Sequence, residues 1–374
     1  MGLPFIDLAA QQARIRQDVD QRIAAVLSHG AYILGPEVKE LEVALAERSG
    51  AAYVISCSSG TDALILALLG LGLRPGQGVI VPSFTFAASA EAMAVLGSVP
   101  VFAEIERSTY NLDPDGLSSA LAAAHAQNIE VVGIMCVGLF GQPADITRIS
   151  AFADKHGLWV LDDAAQSFGS TWKGRQAGTL GRVTATSFFP AKPLGCYGDG
   201  GAVLTNDDSI AKIAVSCRVH GQGRDKYENE RIGMTARLDT IQAAILLSKL
   251  SIFDDELAAR QQVADQYETL LGGKVTTPLL AADATSSWAQ YVIQLPDGAD
   301  RQAVQDRMGS KNIPTAVYYP RPMHTQPPYL HYPVAQGGLS VTERLASSVL
   351  ALPMHPYLTP EQQEQVADAL MSSL

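Results

Sequence analysis

Through the first two-thirds of the chain, short β-branched apolar runs alternate with longer stretches of helical spacing. Ala52-Tyr53-Val54-Ile55-Ser56 precedes a Gly-Thr-Asp triplet and the apolar run Ala63 to Leu71, and Val79-Ile80-Val81-Pro82 precedes the Ala-rich stretch Ala87 to Leu96. Val131 to Cys136, a Gly/Pro loop, the stretch Asp145 to His156 and Leu158-Trp159-Val160-Leu161 continue the rhythm. Runs that are apolar on both faces and separated by helices predict a mostly parallel sheet with helical crossovers. The pattern then changes. Arg237 to Leu250 and Glu256 to Leu271 predict long helices, followed by Trp288 to Gln294, a helix from Arg301 and the Pro-rich stretch Pro314 to Pro333. The expected class is α/β, with a large domain over residues 1–250 and a smaller α+β domain over 251–374, on which the N-terminal segment can pack. Tyr318, Tyr319, His324, Tyr329 and Tyr332 make the Pro-rich stretch an ordered loop rather than a linker.

Composition narrows the function. The 374 residues are enough for about two domains. Hydrophobic residues at 47% and charged residues at 17% describe a globular interior rather than disorder. Lys and Arg number 27 against 38 Asp and Glu, a net charge of −11, and no cations run together. That excludes a nucleic-acid partner, because phosphate backbones are gripped by clustered cations. An acidic chain can still hold a small phosphate at a helix N-terminus, where backbone N–H groups do the binding. The opening segment lacks the pattern of a secretory signal, and no apolar stretch is long enough for a membrane span. A cytoplasmic protein with no membrane contact is expected. Cys57, Cys136, Cys196 and Cys217 are scattered and the histidines lack ligand spacing, so buried thiols and no metal site are expected.

Four stretches carry chemistry. Lys192 stands in Ser187-Phe188-Phe189-Pro190-Ala191-Lys192-Pro193-Leu194-Gly195, an apolar and aromatic setting that disfavours its charge. A lysine so placed can act as a nucleophile for a Schiff base; a surface lysine on a loop is the plainer alternative. The glycines after it lead into Ala202-Val203-Leu204, which suits a tight turn into a strand better than a nucleotide loop. Asp162 and Asp163 end the run Trp159 to Leu161, where open α/β sheets place their ligands. Adjacent strand residues face opposite ways, so only one of the two can meet a given ligand. A carboxylate opposite a pyridinium nitrogen would keep the ring of pyridoxal 5′-phosphate protonated. A helix N-cap is the other reading of Asp163. Ser58-Ser59-Gly60-Thr61-Asp62 sits between strand and helix, as a phosphate cradle or an ordinary cap. Pro82-Ser83-Phe84-Thr85-Phe86 brings rings to another strand end, for stacking on a planar cofactor or for the core.

In this order, the stretches resemble the sugar aminotransferases of the DegT/StrS type, fold type I pyridoxal-phosphate enzymes that act on nucleotide-linked keto sugars. Further landmarks are Phe5-Ile6-Asp7-Leu8, Tyr32 to Glu37, Arg237-Leu238-Asp239, Gln242-Ala243-Ala244 and Leu352-Pro353-Met354-His355. The resemblance spans nearly the whole chain. It implies Lys192 as the Schiff-base lysine, Asp163 as the pyridinium partner, Gln166 beside the cofactor's phenolic oxygen and Phe86 on its ring. Gly60, Thr61 and Ser187 would hold its phosphate. The implied assembly is a homodimer with shared active sites. In the family an Asn of the partner reaches the phosphate from the position that Thr235 occupies here. Arg237, Tyr318, Tyr319 and His324 are the substrate-side candidates, and Tyr318 stands where relatives carry His. Arg237 could instead form an intersubunit salt bridge.

The implied reaction is a ping-pong transfer from L-glutamate through pyridoxamine 5′-phosphate to a nucleotide-linked 3-keto sugar. A UDP-linked 2-acetamido-3-oxo-glucuronate of O-antigen, lipopolysaccharide or other cell-surface polysaccharide synthesis fits best. A 4-keto sugar aminotransferase and a non-catalytic regulatory relative are the alternatives. A dehydratase of the same fold would carry His in place of Lys192.

Overall fold

The strands of the computed structural model, which describes residues 2–225 and 227–374, follow the apolar runs closely. In chain order they are β1 (Tyr53–Cys57), β2 (Gly78–Pro82), β3 (Val99–Ala103), β4 (Val131–Val137), β5 (Trp159–Asp163), β6 (Thr171–Trp172), β7 (Arg175–Gln176), β8 (Val183–Ser187), β9 (Gly201–Thr205), β10 (Tyr291–Gln294) and β11 (Val349–Leu352). Seven of them form one sheet in the order β1-β9-β8-β5-β4-β2-β3. The neighbours from β8 to β3 are all parallel, while β9 runs antiparallel to both β1 and β8. The sheet is thus mostly parallel, as expected.

Crossover helices cover the sheet, and the helix Gly60–Gly70 shows why they stay there. Ala63 to Leu68 are buried without interruption, so this helix has no solvent face. It lies against β8 and β9 and under the helices Ala87–Val95 and Asp208–Cys217. Truncating Leu66 or Leu68, both fully buried, would cost about 2–5 kcal/mol. A helix so tightly packed fixes its own N-terminus, and that end borders the cleft described below. All four cysteines are buried and unbridged, and burial raises their pKa values.

A second apolar cluster gathers around the β10–β11 pair. Tyr267, Tyr291, Ile293, Val304, Met308, Leu350, Leu352, Val366 and Leu370 meet there, and the Tyr267 hydroxyl donates to the Pro353 carbonyl at 2.9 Å. The N-terminal helix Leu8–His29, capped by Asp7, packs along the helix Thr240–Leu250, and its Gln11 bonds Glu256. The Pro-rich stretch is ordered: Met323 N donates to Ser83 O at 2.9 Å and Phe102 N to Pro333 O at 2.9 Å.

Two expectations need correction. The helix expected from Arg237 begins at Thr240, because residues 235–239 are extended and pair across the chain. Ile33 bridges Asp239, Val219 bridges Thr235, and Thr240 N donates to Tyr32 O at 2.9 Å. The helix expected from Glu256 begins earlier, at Phe253. Within the run Trp288 to Gln294 the strand begins at Tyr291, and Trp288 takes a positive φ of 46°.

Candidate active site

The carboxyl ends of β2, β5 and β8 and the start of the helix Gly60–Gly70 open onto one cleft of about 480 Å³. Asp163 is the last residue of β5 and reaches this cleft. Its carboxylate is buried, accepting from the Ser89 hydroxyl at 2.8 Å and from Ala165 N at 3.2 Å. Burial raises its pKa, while those two donors and the Lys192 amine pull it back down. Asp162 does not line the cleft, and its Oδ2 has no partner among the described residues.

Lys192 rides on the connection from β8 to β9. Both ends of that connection are tied: Ser187 pairs with Gly201, Phe188 N donates to Gly200 O at 2.7 Å, and Lys192 N donates to Phe189 O at 2.8 Å. Gly201 is required at the closing end, since a Cβ there would stand 2.3 Å from the Ser59 carbonyl. The turn reading of the glycine-rich stretch is therefore correct. Burial lowers the Lys192 pKa, and the nearby Asp163 charge opposes that shift.

Opposite these groups lies a set of anion donors. Ser59 caps its helix by accepting from Asp62 N at 3.0 Å, leaving the first-turn N–H groups of Gly60 and Thr61 without an intrahelical acceptor. A Cβ on Gly60 would stand 2.6 Å from the Ser187 Cβ, so the helix start is pressed against the end of β8. Gly60, Thr61 and Ser187 thus converge on one corner of the cleft.

Gln166 is braced on two sides. Its Oε1 accepts from Phe140 N at 2.7 Å, and its Nε2 donates to the Tyr319 hydroxyl at 3.1 Å. Burial raises the Tyr319 pKa, so the phenol stays protonated. The Phe86 ring is more than half exposed at the cleft mouth and lies 6.2 Å from the Tyr319 ring. Tyr318 also lines the cleft.

Three expected site residues are not brought there. Thr235 is exposed and its hydroxyl lies 2.6 Å from His220 Nε2. Arg237 is half-buried with an unpartnered Nε among the described residues. His324 is not among the residues that line the cleft, and its ring nitrogens meet the Ser83 hydroxyl at 2.7 Å and Glu343 at 3.2 Å. Conversely, Thr85, Ser89, Asp199 and Gln290 line the cleft without having been singled out in sequence. Thr85 and Ser89 share a hydrogen bond of 3.0 Å, and only their four-residue spacing at a helix start hinted at it.

A buried carboxylate, an amine whose pKa burial lowers, a corner of N–H and hydroxyl donors and an exposed ring suit a phosphorylated pyridine aldehyde. The fit holds on donor chemistry alone: each part of that molecule meets a group of matching type.

The comparisons agree. The family model of the DegT/DnrJ/EryC1/StrS aminotransferases matches residues 13–371. The chain is 46% identical, over 98% of its length and 99% of the other, to the UDP-2-acetamido-2-deoxy-3-oxo-D-glucuronate aminotransferase of Pseudomonas aeruginosa. A DegT/DnrJ/EryC1/StrS aminotransferase from Brucella abortus has a similar structure, with TM-score 0.96, 46% identity and 99% of both chains covered. The NtdA protein of Bacillus subtilis, solved with bound pyridoxamine phosphate, matches with TM-score 0.89 and 30% identity, covering 100% of this chain and 85% of that one.

Proposed function

The chain belongs to the DegT/DnrJ/EryC1/StrS aminotransferase family, and from that premise we propose that it transfers an amino group from L-glutamate to carbon 3 of a UDP-linked 2-acetamido-3-oxo-glucuronate. The observation that carries the reading is the placement of Asp163 and Lys192 in one cleft with the donor corner of Gly60, Thr61 and Ser187. Pyridoxal 5′-phosphate, the family's cofactor, supplies an electron sink for the carbanion that forms at the amino-bearing carbon.

Each residue then has a task. Gly60 and Thr61 offer N–H groups, and Ser187 a hydroxyl, to the cofactor phosphate. Asp163 would hold a proton on the pyridine nitrogen, and the Ser89 hydroxyl favours its ionised form and aims it. Lys192 anchors the cofactor through its amine. Its Nζ would also take the proton from the substrate's amino-bearing carbon, a task that a lowered pKa favours. Phe86 and Gln166 would flank the ring, and Tyr318 and Tyr319 would meet the sugar. Thr235 and Arg237 serve the site of a partner subunit in a homodimer, Arg237 pairing with a substrate carboxylate. The large unit of residues 1–250 carries the cofactor and the smaller unit of 251–374 flanks it. Among the described residues no helix is long and apolar enough to cross a membrane. A cytoplasmic enzyme supplying O-antigen or related polysaccharide precursors fits this reading.

The test is an assay of UDP-linked 3-keto and 4-keto sugars with L-glutamate, following 2-oxoglutarate. Turnover of the 3-keto uronate alone is expected. Turnover confined to the 4-keto sugar would reverse the assignment, and no turnover of either would favour a regulatory role.

A further inference from the structure

Two of the sequence landmarks, Phe5-Ile6-Asp7-Leu8 and Leu352-Pro353-Met354-His355, take no part in the chemistry above. The fold nevertheless brings them together, with Met354 N donating to Phe5 O at 3.3 Å. Beside that contact lies a small cavity of about 10 Å³, walled by Asp7, Gln11, Arg260 and His355 together with the segment Pro190-Ala191-Lys192. Such a volume accommodates one water molecule.

Gln11 Oε1, in the cavity's wall, lacks a hydrogen-bond partner among the described residues, and the His355 ring has only the Pro4 backbone carbonyl near one nitrogen. Gln11 is 7% and His355 1% exposed. Buried polar groups are nearly always satisfied, by protein or by ordered water. The neighbouring groups are already engaged. Gln11 Nε2 donates to both Glu256 oxygens at 2.8 and 3.1 Å, the Tyr357 hydroxyl donates to Glu256 at 2.6 Å, and Arg260 donates to Trp288 O at 3.0 Å. Burial and the Arg260 charge hold the His355 pKa at about 4, against the opposing pull of Asp7 and the Pro4 carbonyl. Near neutral pH the ring is therefore uncharged: its N–H faces the Pro4 carbonyl and its other nitrogen is free to accept. A water can bond such a ring and also donate to the Gln11 amide oxygen.

We propose that this cavity is a binding site for one ordered water, held between His355 and Gln11, which braces the Lys192 segment from outside and makes His355 a positioning residue for the Lys192 amine. The water site stands on the cavity and its unpartnered atoms. Only the positioning role rests on Lys192 being the reacting amine.

The test has a diffraction arm and a labelling arm, both on the full-length, cofactor-free chain. A crystal structure resolving ordered solvent is expected to show one water within hydrogen-bond distance of His355 and Gln11; its absence overturns the proposal. The pH profile of Lys192 acetylation by acetic anhydride, read by peptide mass spectrometry, is expected to shift in His355→Phe and in Gln11→Leu. His355→Gln, which can still bond the water, should restore it. In the holoenzyme, His355→Phe should lower kcat roughly 10–100-fold with KM nearly unchanged, the effect of a misplaced reacting group. A labelling profile identical in wild type and both apolar variants overturns the positioning role. Neither arm needs substrate, so a wrong aminotransferase assignment would show instead as absent transamination with the water and the labelling shift intact.

Discussion

In the cleft, each group of the cofactor half is set by its own chain: Ser89 and Ala165 hold Asp163, Phe140 and Tyr319 hold Gln166, and paired strand ends hold the Lys192 connection. Along residues 218–237 the picture is different. Thr235 turns to His220, Arg237 keeps an unpartnered buried Nε, and Ile232 is 90% exposed. The first region follows from sheet architecture, since parallel strands deliver their carboxyl ends to one edge. In the proposed homodimer, the second would be the part that meets the partner subunit.

The largest effects should break the first region. Lys192→Ala should abolish turnover, a loss of at least about 10⁴-fold in single-turnover rate, since both the anchor and the proton carrier go. Reduction of the holoenzyme with borohydride should label Lys192 alone. Asp163→Asn should cost roughly 10²–10³-fold in kcat with the cofactor still bound, because a preorganised charge is lost; near-normal kcat would return Asp163 to a structural part.

Arg237 sharpens the contrast between regions. Arg237→Ala should raise KM for a carboxylate-bearing substrate about tenfold or more and leave kcat nearly intact. If this segment serves a partner's site, mixing and refolding Lys192→Ala with Arg237→Ala subunits should restore a normal KM in about a quarter of the sites, through hybrid dimers. A mixture that keeps only the raised KM would confine Arg237 to its own chain.

The smallest effect concerns the carboxylate beside the site. Burial pushes Asp162 up to about 7, whereas an unfolded-chain Asp titrates near 3.9. Between those values the folded chain binds the extra proton, so this group's contribution to stability is present at low pH and is lost as pH rises to about 7. Asp162→Asn should therefore leave urea stability nearly unchanged at pH 4 and raise it at pH 8, by at most about 4 kcal/mol. Equal changes at both pH values would show that the carboxyl does not titrate in this window.

The legible parts of the molecule were those in which a local pattern decides the structure. The strand ending at Asp163 announced itself through apolar residues on both faces, and the turn at Gly201 through its glycines. Ser89 escaped notice because its partner lies far away in sequence, and nothing local distinguishes a serine that bonds a distant carboxylate from one in an ordinary first turn. The start of the helix at Thr240 was missed for a similar reason: pairing of residues 235–239 with residues 32–33 and 219 overrides a helical spacing. His324 was grouped with its aromatic neighbours, yet it does not line the cleft, and its ring nitrogens meet Ser83 and Glu343.

The antiparallel strand β9 has one more consequence. Because Ser187 and Gly201 are rung partners, the connection that carries Lys192 leaves and re-enters the sheet at the same point. A protease cut within it would leave both stumps pinned to the sheet, so the nicked protein should keep its fold while losing its chemistry. The middle of the connection is less free, because Phe188, Leu194 and Cys196 are buried in the core, so recomposition would be tolerated around the exposed Phe189 and not across the whole segment.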